Sequence, residues 1–91
     1  MKPTKETLTI IKHEEAFHAM LKLGYKILLR NYECPLGEIH FIAKKHGELV
    51  FVCINEVPPI AAARYYINRY GIADVPVRLE QFDVKLNNNG E

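Results

Sequence analysis

Four side chains that can bind a metal ion or form hydrogen bonds occur at matching positions on either side of one short turn. They are Glu38, His40, Cys53 and Asn55. Carboxylates are the ligands that magnesium prefers, whereas imidazole and thiolate are ligands of zinc. The helical residue His13 is a further candidate ligand. These residue types predict a metal site or a cluster of hydrogen-bonding groups, and their spacing decides whether they can meet.

A β-hairpin brings the four together. The segments 39–43 and 49–54 are rich in β-forming residues, and His46-Gly47 between them is typical of a two-residue turn. Such a turn pairs Lys45 with Glu48. The same antiparallel register continues along the strands and pairs His40 with Cys53 and Glu38 with Asn55. Because side chains alternate along a strand, we expect the four to project from one face.

The rest of the chain predicts the elements that would support this hairpin. The apolar period over 7–23 is that of a helix, and 25–32 has the composition of a strand. Pro58-Pro59 ends the hairpin and begins a second helix. A last strand over 75–86 needs a β-bulge near Glu80-Gln81 to keep one apolar face, and can pair in parallel with a hairpin strand. The predicted fold is α/β, in the order α-β-β-β-α-β, with a mixed sheet and two helices.

Composition limits the possible classes of protein. The chain has 91 residues, 48% of them hydrophobic and 25% charged, with a net charge of +1. This suits one small globular domain, predicted over 7–86 with tails at 1–6 and 87–91. No apolar run is long enough for a membrane span, so we expect no membrane partner. The two cysteines, Cys34 and Cys53, are too few for a disulfide scaffold, which favours the cytoplasm.

Several stretches resemble the YraN-like family of small, restriction-endonuclease-like proteins. The stretch GYKILLRNYECPLGEI fits the family signature G-Y-x-I-L-x-x-N-x-x-x-x-x-GEID, and LVFVCIN lies where the family has LVFVEVK. AAARYYI resembles the second helix of the family, and QFDVKL its terminal strand. The similarity covers residues 13 to 86. It implies a restriction-endonuclease-like core, in a shortened and divergent member that lacks a loop and helical stretch after Asn55.

The resemblance also implies where an active site would lie. Related PD-(D/E)xK nucleases hold a divalent metal with carboxylates and use a lysine to assist the attacking water. The aspartate of GEID falls on His40, and the glutamate and lysine of EVK fall on Cys53 and Asn55. The helical glutamate of the family falls on His13, and Glu38 is the acidic residue that remains. The corresponding site of this chain is therefore predicted to be degenerate.

Two interpretations of the degenerate site follow from its chemistry. Magnesium-dependent hydrolysis needs hard oxygen ligands, so the replacements predict a pseudoenzyme with no catalytic residues and no required cofactor. The alternative is a metal-dependent nuclease or hydrolase rebuilt around zinc, with His13, His40 and Cys53 as ligands and a water at the fourth position.

The favoured interpretation is a noncatalytic nucleic-acid-binding or assembly protein. Nucleic acid would contact basic residues, predicted to be Lys26, Arg30, Lys44 and Lys45. Arg64 and Arg69 could join a phosphate-binding face, although the near-neutral net charge also suits ordinary solvated side chains. Tyr65, Tyr66 and Tyr70 are interpreted as packing residues of the second helix. The small core and open sheet edges suggest a homodimer.

Overall fold

A helix lies on each face of one four-stranded sheet in the computed structural model, which describes residues 4–85. The elements follow the predicted order α-β-β-β-α-β, and this confirms the predicted fold class. They are α1 (Lys5–Lys22), β1 (Lys26–Cys34), β2 (Gly37–Lys45), β3 (Glu48–Ile54), α2 (Ile60–Arg69) and β4 (Val77–Phe82). No helix among these residues is both long enough and apolar enough to cross a membrane.

The first helix begins two residues earlier than the apolar period predicts. Thr4 is its N-cap, and the Thr4 hydroxyl accepts a hydrogen bond of 3.1 Å from the Thr7 backbone N–H. A hydroxyl at this position satisfies one of the free N–H groups of the first turn. Part of the predicted tail 1–6 is therefore helical, and the predicted tail 87–91 lies outside the described residues.

The strands lie in the order β1-β2-β3-β4. Antiparallel pairs join β1 to β2 and β2 to β3, whereas β3 and β4 are parallel. The parallel return of the last strand after α2 confirms the prediction that it pairs with a hairpin strand. The hairpin turn is also confirmed: Lys45 pairs with Glu48, and both turn residues have positive φ, 52° at His46 and 78° at Gly47.

Strand β3 is apolar on both faces, and the two hydrophobic clusters meet it from opposite sides. All residues from Leu49 to Ile54 are buried. The cluster beneath α1 contains Ala16, Met20, Tyr25, Phe41, Ala43, Val50, Val52 and Ile54. The cluster beneath α2 contains Ile39, Ile42, Leu49, Phe51, Ala62 and Ala63. A strand buried on both sides reads as a continuous apolar run, as the sequence LVFVCI does.

The predicted β-bulge near Glu80-Gln81 is wrong. The parallel register of β3 and β4 runs without a shift from Leu49–Val77 to Ile54–Phe82. No bulge is needed because helices cover both faces: Leu79 packs on the α2 cluster, while Phe82 and Val84 pack on the α1 cluster. Of the strand predicted over 75–86, residue 86 lies outside the described residues.

The real irregularities lie on the other side of the sheet. The register of β1 and β2 shifts between Ile27 and Leu29. Further along β1, Asn31 has a φ of 56°. On β2 the alternation of side chains breaks, since Ile39 lies in the α2 cluster and Phe41 in the α1 cluster. This break sets the direction of His40, the residue between them.

Candidate functional site

The open end of the hairpin and the middle of α1 together form the candidate site. Here the histidine rings of His13 and His40 lie with their centroids 4.7 Å apart, in an edge-on arrangement. The His13 ring is also 5.7 Å from the ring of Phe41. Two consecutive residues of β2 thus face the same helix, a direct result of the broken alternation. Helix α1 supplies His13 because this residue lies one turn before Ala16 and Phe17, which pack on the sheet.

The two nitrogens of His40 have different surroundings. The backbone N–H of Ile54 donates a 2.8 Å hydrogen bond to Nδ1 of His40. Nδ1 must therefore be unprotonated, and the neutral ring carries its proton on Nε2. Nε2 lies 3.7 Å from a carboxylate oxygen of Glu38 and 3.9 Å from one of Glu56. Only Nε2 remains for any ligand.

The paired register of β2 and β3 ends at Phe41–Val52. Beyond this pair, the backbone N–H of Ile54 donates its hydrogen bond to the imidazole of His40 and not to a carbonyl of β2. The pairs expected from the hairpin register, His40 with Cys53 and Glu38 with Asn55, are therefore not part of the ladder. The four side chains do not share one face, because the broken alternation on β2 turns His40 toward α1.

Cys53 is a buried thiol held against the backbone of β2. Its exposed fraction is 1%, and its Sγ lies 3.6 Å from the carbonyl oxygen of Glu38 as a weak donor. Burial raises the pKa of this thiol, and the carboxylates of Glu56 and Glu38 raise it further. A neutral thiol is neither a nucleophile nor a metal ligand until it loses its proton. Cys53 acts here as a small packing residue.

Asn55 joins the end of β3 to the segment after β4. Its amide Nδ2 donates to the carbonyl of Val84 at 3.2 Å, and its Oδ1 accepts from the Val84 N–H at 2.8 Å. Its backbone N–H donates to the carbonyl of Phe82 at 2.9 Å. The residue has a φ of 60°, a conformation that asparagine tolerates better than most side chains. The amide thus extends the parallel pairing beyond the last strand residue.

A cavity of about 270 Å³ lies beside the two histidines. Its walls are Thr9, Lys12, His13, His40, Ile54 and Asn55. Sequence reasoning missed Thr9, Lys12 and the carboxylate of Glu56. Thr9 could have been found, since it lies four residues before His13 on the same helical face. Cys53 does not line the cavity, so the structure brings together only two of the three predicted zinc ligands.

The donor set does not fit a magnesium ion. The carboxylates near His40 are Glu38 and Glu56, and both side chains are more than half exposed. Across residues 4–85, no three His, Cys, Asp or Glu side chains are arranged to hold a metal. Zinc binding by His13, His40 and Cys53 stays a prediction, to which this geometry adds no support beyond the proximity of the two histidines.

The predicted nucleic-acid residues differ in their surroundings. Arg30 is engaged internally: its Nη2 donates to Glu14 at 2.8 Å, and its guanidinium carbon lies 4.2 Å from the centroid of the Phe17 ring. The Nζ of Lys45 lies 4.5 Å from the ring centroid of Tyr25. Lys26 and Lys44 are exposed and directly opposite each other on β1 and β2. Two of the four residues are therefore free of such contacts within residues 4–85.

Residues 13–57 match the model of a family described as "Uncharacterised protein family UPF0102". These residues include α1 from His13 onward and the whole hairpin. Over these residues the chain is similar to this YraN-like family, in agreement with the resemblance in its sequence. The site just described lies almost entirely within the matched segment.

Curated relatives support the assignment. A "UPF0102 protein" of Lachnoclostridium phytofermentans is 46% identical over 48 residues, which cover 53% of this chain and 41% of the relative. One of Moorella thermoacetica is 59% identical over 29 residues, covering 32% of this chain and 24% of that protein. The matches thus span less than half the length of these relatives.

One relative matches over a longer region. A UPF0102 protein of Clostridioides difficile is 29% identical over 89 residues, and the match covers 78% of each protein. An ungapped alignment of 89 positions would cover nearly the whole 91-residue chain. This alignment therefore contains positions with no counterpart in this chain, as expected for a shortened member of the YraN-like family.

Asn55 should stabilise the fold through its side-chain amide. We expect Asn55→Gly, which accepts a positive φ but removes both hydrogen bonds to Val84, to lower the free energy of unfolding by about 1–2 kcal/mol. Urea denaturation measures the change.

Asn31→Gly is the matched control. Asn31 also has positive φ, and its side chain makes no hydrogen bond within residues 4–85. This variant should leave stability nearly unchanged. Equal losses in the two variants would show that the Asn55 amide contributes nothing beyond its backbone conformation.

The stability of the protein should depend on pH through His13. Burial lowers the pKa of His13 below its usual value of 6.5, and the positive charge of Arg30 lowers it further, against the opposing effects of Glu38 and Glu14. The folded state therefore disfavours protonated His13. Neutral His13 makes its full contribution to the free energy of unfolding above pH 6.5. This contribution is lost as the pH falls through the lowered pKa of His13.

His13→Gln should reduce the loss of stability between about pH 7.5 and about pH 5, measured as the free energy of unfolding in urea. His18→Gln is the control, because His18 lies on the exposed side of the same helix. A loss in His13→Gln as steep as in the unmodified protein would exclude His13 as the source.

Proposed function

We propose that this YraN-like protein binds nucleic acid without cleaving it. The proposal rests on one observation. The side chains at the positions that correspond to the catalytic residues of the related nucleases contact other parts of the fold. Nδ1 of His40 accepts the Ile54 N–H, the Asn55 amide binds the backbone of Val84, and the Cys53 thiol is buried against Glu38. Groups engaged in holding the fold are not available to bind a metal or activate water.

The charges around the site support the same proposal. A nuclease metal ion needs hard oxygen ligands held at about 2.0–2.1 Å in fixed geometry. Glu38 and Glu56 instead flank the Nε2 of His40 and are largely exposed. The buried residue beside them is a neutral thiol. We infer that magnesium-dependent hydrolysis has been lost and that the binding role of the fold remains.

The pair Lys26 and Lys44 supports nucleic acid as the partner. Like charges directly opposite each other on neighbouring strands destabilise a sheet. Neither lysine has a carboxylate within salt-bridge distance in the part of the chain that the structure describes. A phosphate backbone bound across the two strands would relieve this repulsion.

We assign the protein to the cytoplasm, because its two cysteines do not form a disulfide scaffold.

The unmodified protein should bind fluorescent oligonucleotides at low salt, with an affinity that falls steeply as salt rises. It should cleave neither DNA nor RNA in magnesium or manganese, and anisotropy and gel assays measure these two properties. No binding at low salt would reject the proposal. Metal-dependent cleavage that is lost in His40→Ala, or zinc retained near one ion per chain after desalting, would favour the rebuilt metal site.

We also propose that the protein assembles as a homodimer through β1. This strand is at one edge of the sheet, so its outer backbone groups are unpaired. Beside it, an open groove of about 720 Å³ is lined mostly by apolar residues of α1 and β1, among them Leu21, Leu28 and Leu29, together with Lys26 and Arg30. All three leucine side chains are exposed to 39% or more. A second copy could cover both the edge and the apolar groove.

The mass in solution should therefore rise from monomer to dimer with protein concentration, as measured by analytical ultracentrifugation. Leu28→Glu should shift the protein to monomer, because it introduces a charge into the interface. Val57→Glu is the control, since Val57 is an exposed apolar residue that does not line this groove. A monomeric mass at every concentration would contradict the homodimer.

A further inference from the structure

The outer face of α2 carries a second set of basic and aromatic residues, on the side of the sheet opposite the two histidines. Ala62 and Ala63 pack inward on the sheet. The outer residues Ala61, Arg64, Tyr65, Asn68 and Arg69 line an open groove of about 460 Å³. Leu36, in the turn between β1 and β2, forms its other wall. The volume is within the range of about 300–1,000 Å³ typical of ligand sites.

The arginines of this groove differ from the other arginines of the chain. Arg30 pairs with Glu14, and Arg78 pairs with Glu48 and Glu80. Within residues 4–85, neither Arg64 nor Arg69 has a carboxylate within 4 Å. The sequence contains four arginines, so the two without an internal partner line the same groove. A guanidinium fork without a carboxylate partner is well suited to a phosphate.

Tyrosine rings lie beside these two arginines. Tyr66 packs edge-on against Tyr32 and Phe51 and is fixed by the core. Tyr70 lies 4.8 Å from Tyr66 between ring centroids, and its side chain is 60% exposed. Tyr65 is half-buried and forms part of the groove wall. The face thus offers ring surfaces next to positive charge.

We propose that this groove binds single-stranded nucleic acid, with Arg64 and Arg69 on phosphates and a base stacked on Tyr65. The inference rests on the proposed nucleic-acid function and assigns it a site. A single strand fits better than a duplex, because stacking on a tyrosine ring requires a base that is free of its neighbours. Asn68, between the two arginines on the helix surface, adds an amide that hydrogen-bonds base edges or phosphates.

Substitution of both arginines tests the site. Arg64→Gln/Arg69→Gln should weaken binding of a fluorescent oligo-dT or oligo-U at least tenfold at low salt. It should also reduce the slope of log affinity against log salt by about 1.4, from about 0.7 per lost phosphate contact. Lys5→Gln/Lys22→Gln is the matched control, since it removes the same charge from exposed positions of α1, on the opposite face of the sheet. A larger loss of binding affinity in the lysine variant would contradict the assignment of the groove as the binding site.

A second variant tests the stacking. Tyr65→Ala should weaken binding about tenfold with an unchanged salt slope, and Tyr65→Phe should restore affinity, because phenylalanine keeps the ring. Circular dichroism checks that each variant is folded. Tight binding of a duplex with no binding of a single strand would contradict the proposal of a single-stranded ligand. Comparison of oligo-dT with oligo-U shows whether the groove prefers DNA or RNA.

The outcomes separate this inference from the function on which it rests. If the unmodified protein binds no nucleic acid at low salt, both the proposed function and the assignment of the groove as its binding site are rejected. If it binds, and the double arginine variant binds equally well, the function stands and the groove alone is rejected.

Discussion

The burial of β3 on both faces is the constraint on which the rest of this structure depends. Each residue from Leu49 to Ile54 is buried, so the strand needs a partner on each edge and a helix on each face. The hairpin supplies β2 on one edge, and the chain must pass through α2 to supply β4 in parallel on the other. At about 25 cal/mol per Å² of apolar surface removed from water, the burial of this strand stabilises the fold substantially.

The same constraint explains the polar groups at the end of β3. A strand surrounded by apolar layers cannot leave N–H groups or amides unpaired, because each would lose its hydrogen bonds to water. The Ile54 N–H therefore bonds to His40, and the Asn55 amide bonds to Val84. In the PD-(D/E)xK nucleases that the sequence resembles, carboxylates at these positions hold a metal ion and a lysine assists the attacking water. Here the ends of the strands are held directly, by neutral groups that bond to backbone.

Much of the fold could be predicted from local sequence signals. His46-Gly47 fixes the hairpin register at the turn, and the continuous apolar run of β3 indicates burial on both faces. The directions of the site residues could not be predicted in the same way. Alternation from the turn gives the wrong face for His40, because the break between Ile39 and Phe41 depends on tertiary contacts with α1. The partner of Asn55 lies 29 residues away in the chain, beyond any local pattern.

The layered arrangement also separates the two regions of possible function. The histidine pair and its cavity lie between α1 and the sheet, where His13 and His40 are partly buried and share contacts with the core. The outer face of α2 does not share contacts with the core in this way. The inward residues Ala62 and Ala63 pack this helix on the sheet with small side chains. Substitutions near the histidines should act on stability, whereas Arg64, Tyr65 and Arg69 line an open groove and carry less of the packing. The two faces can therefore change independently, without disturbing β3, the strand on which both are built.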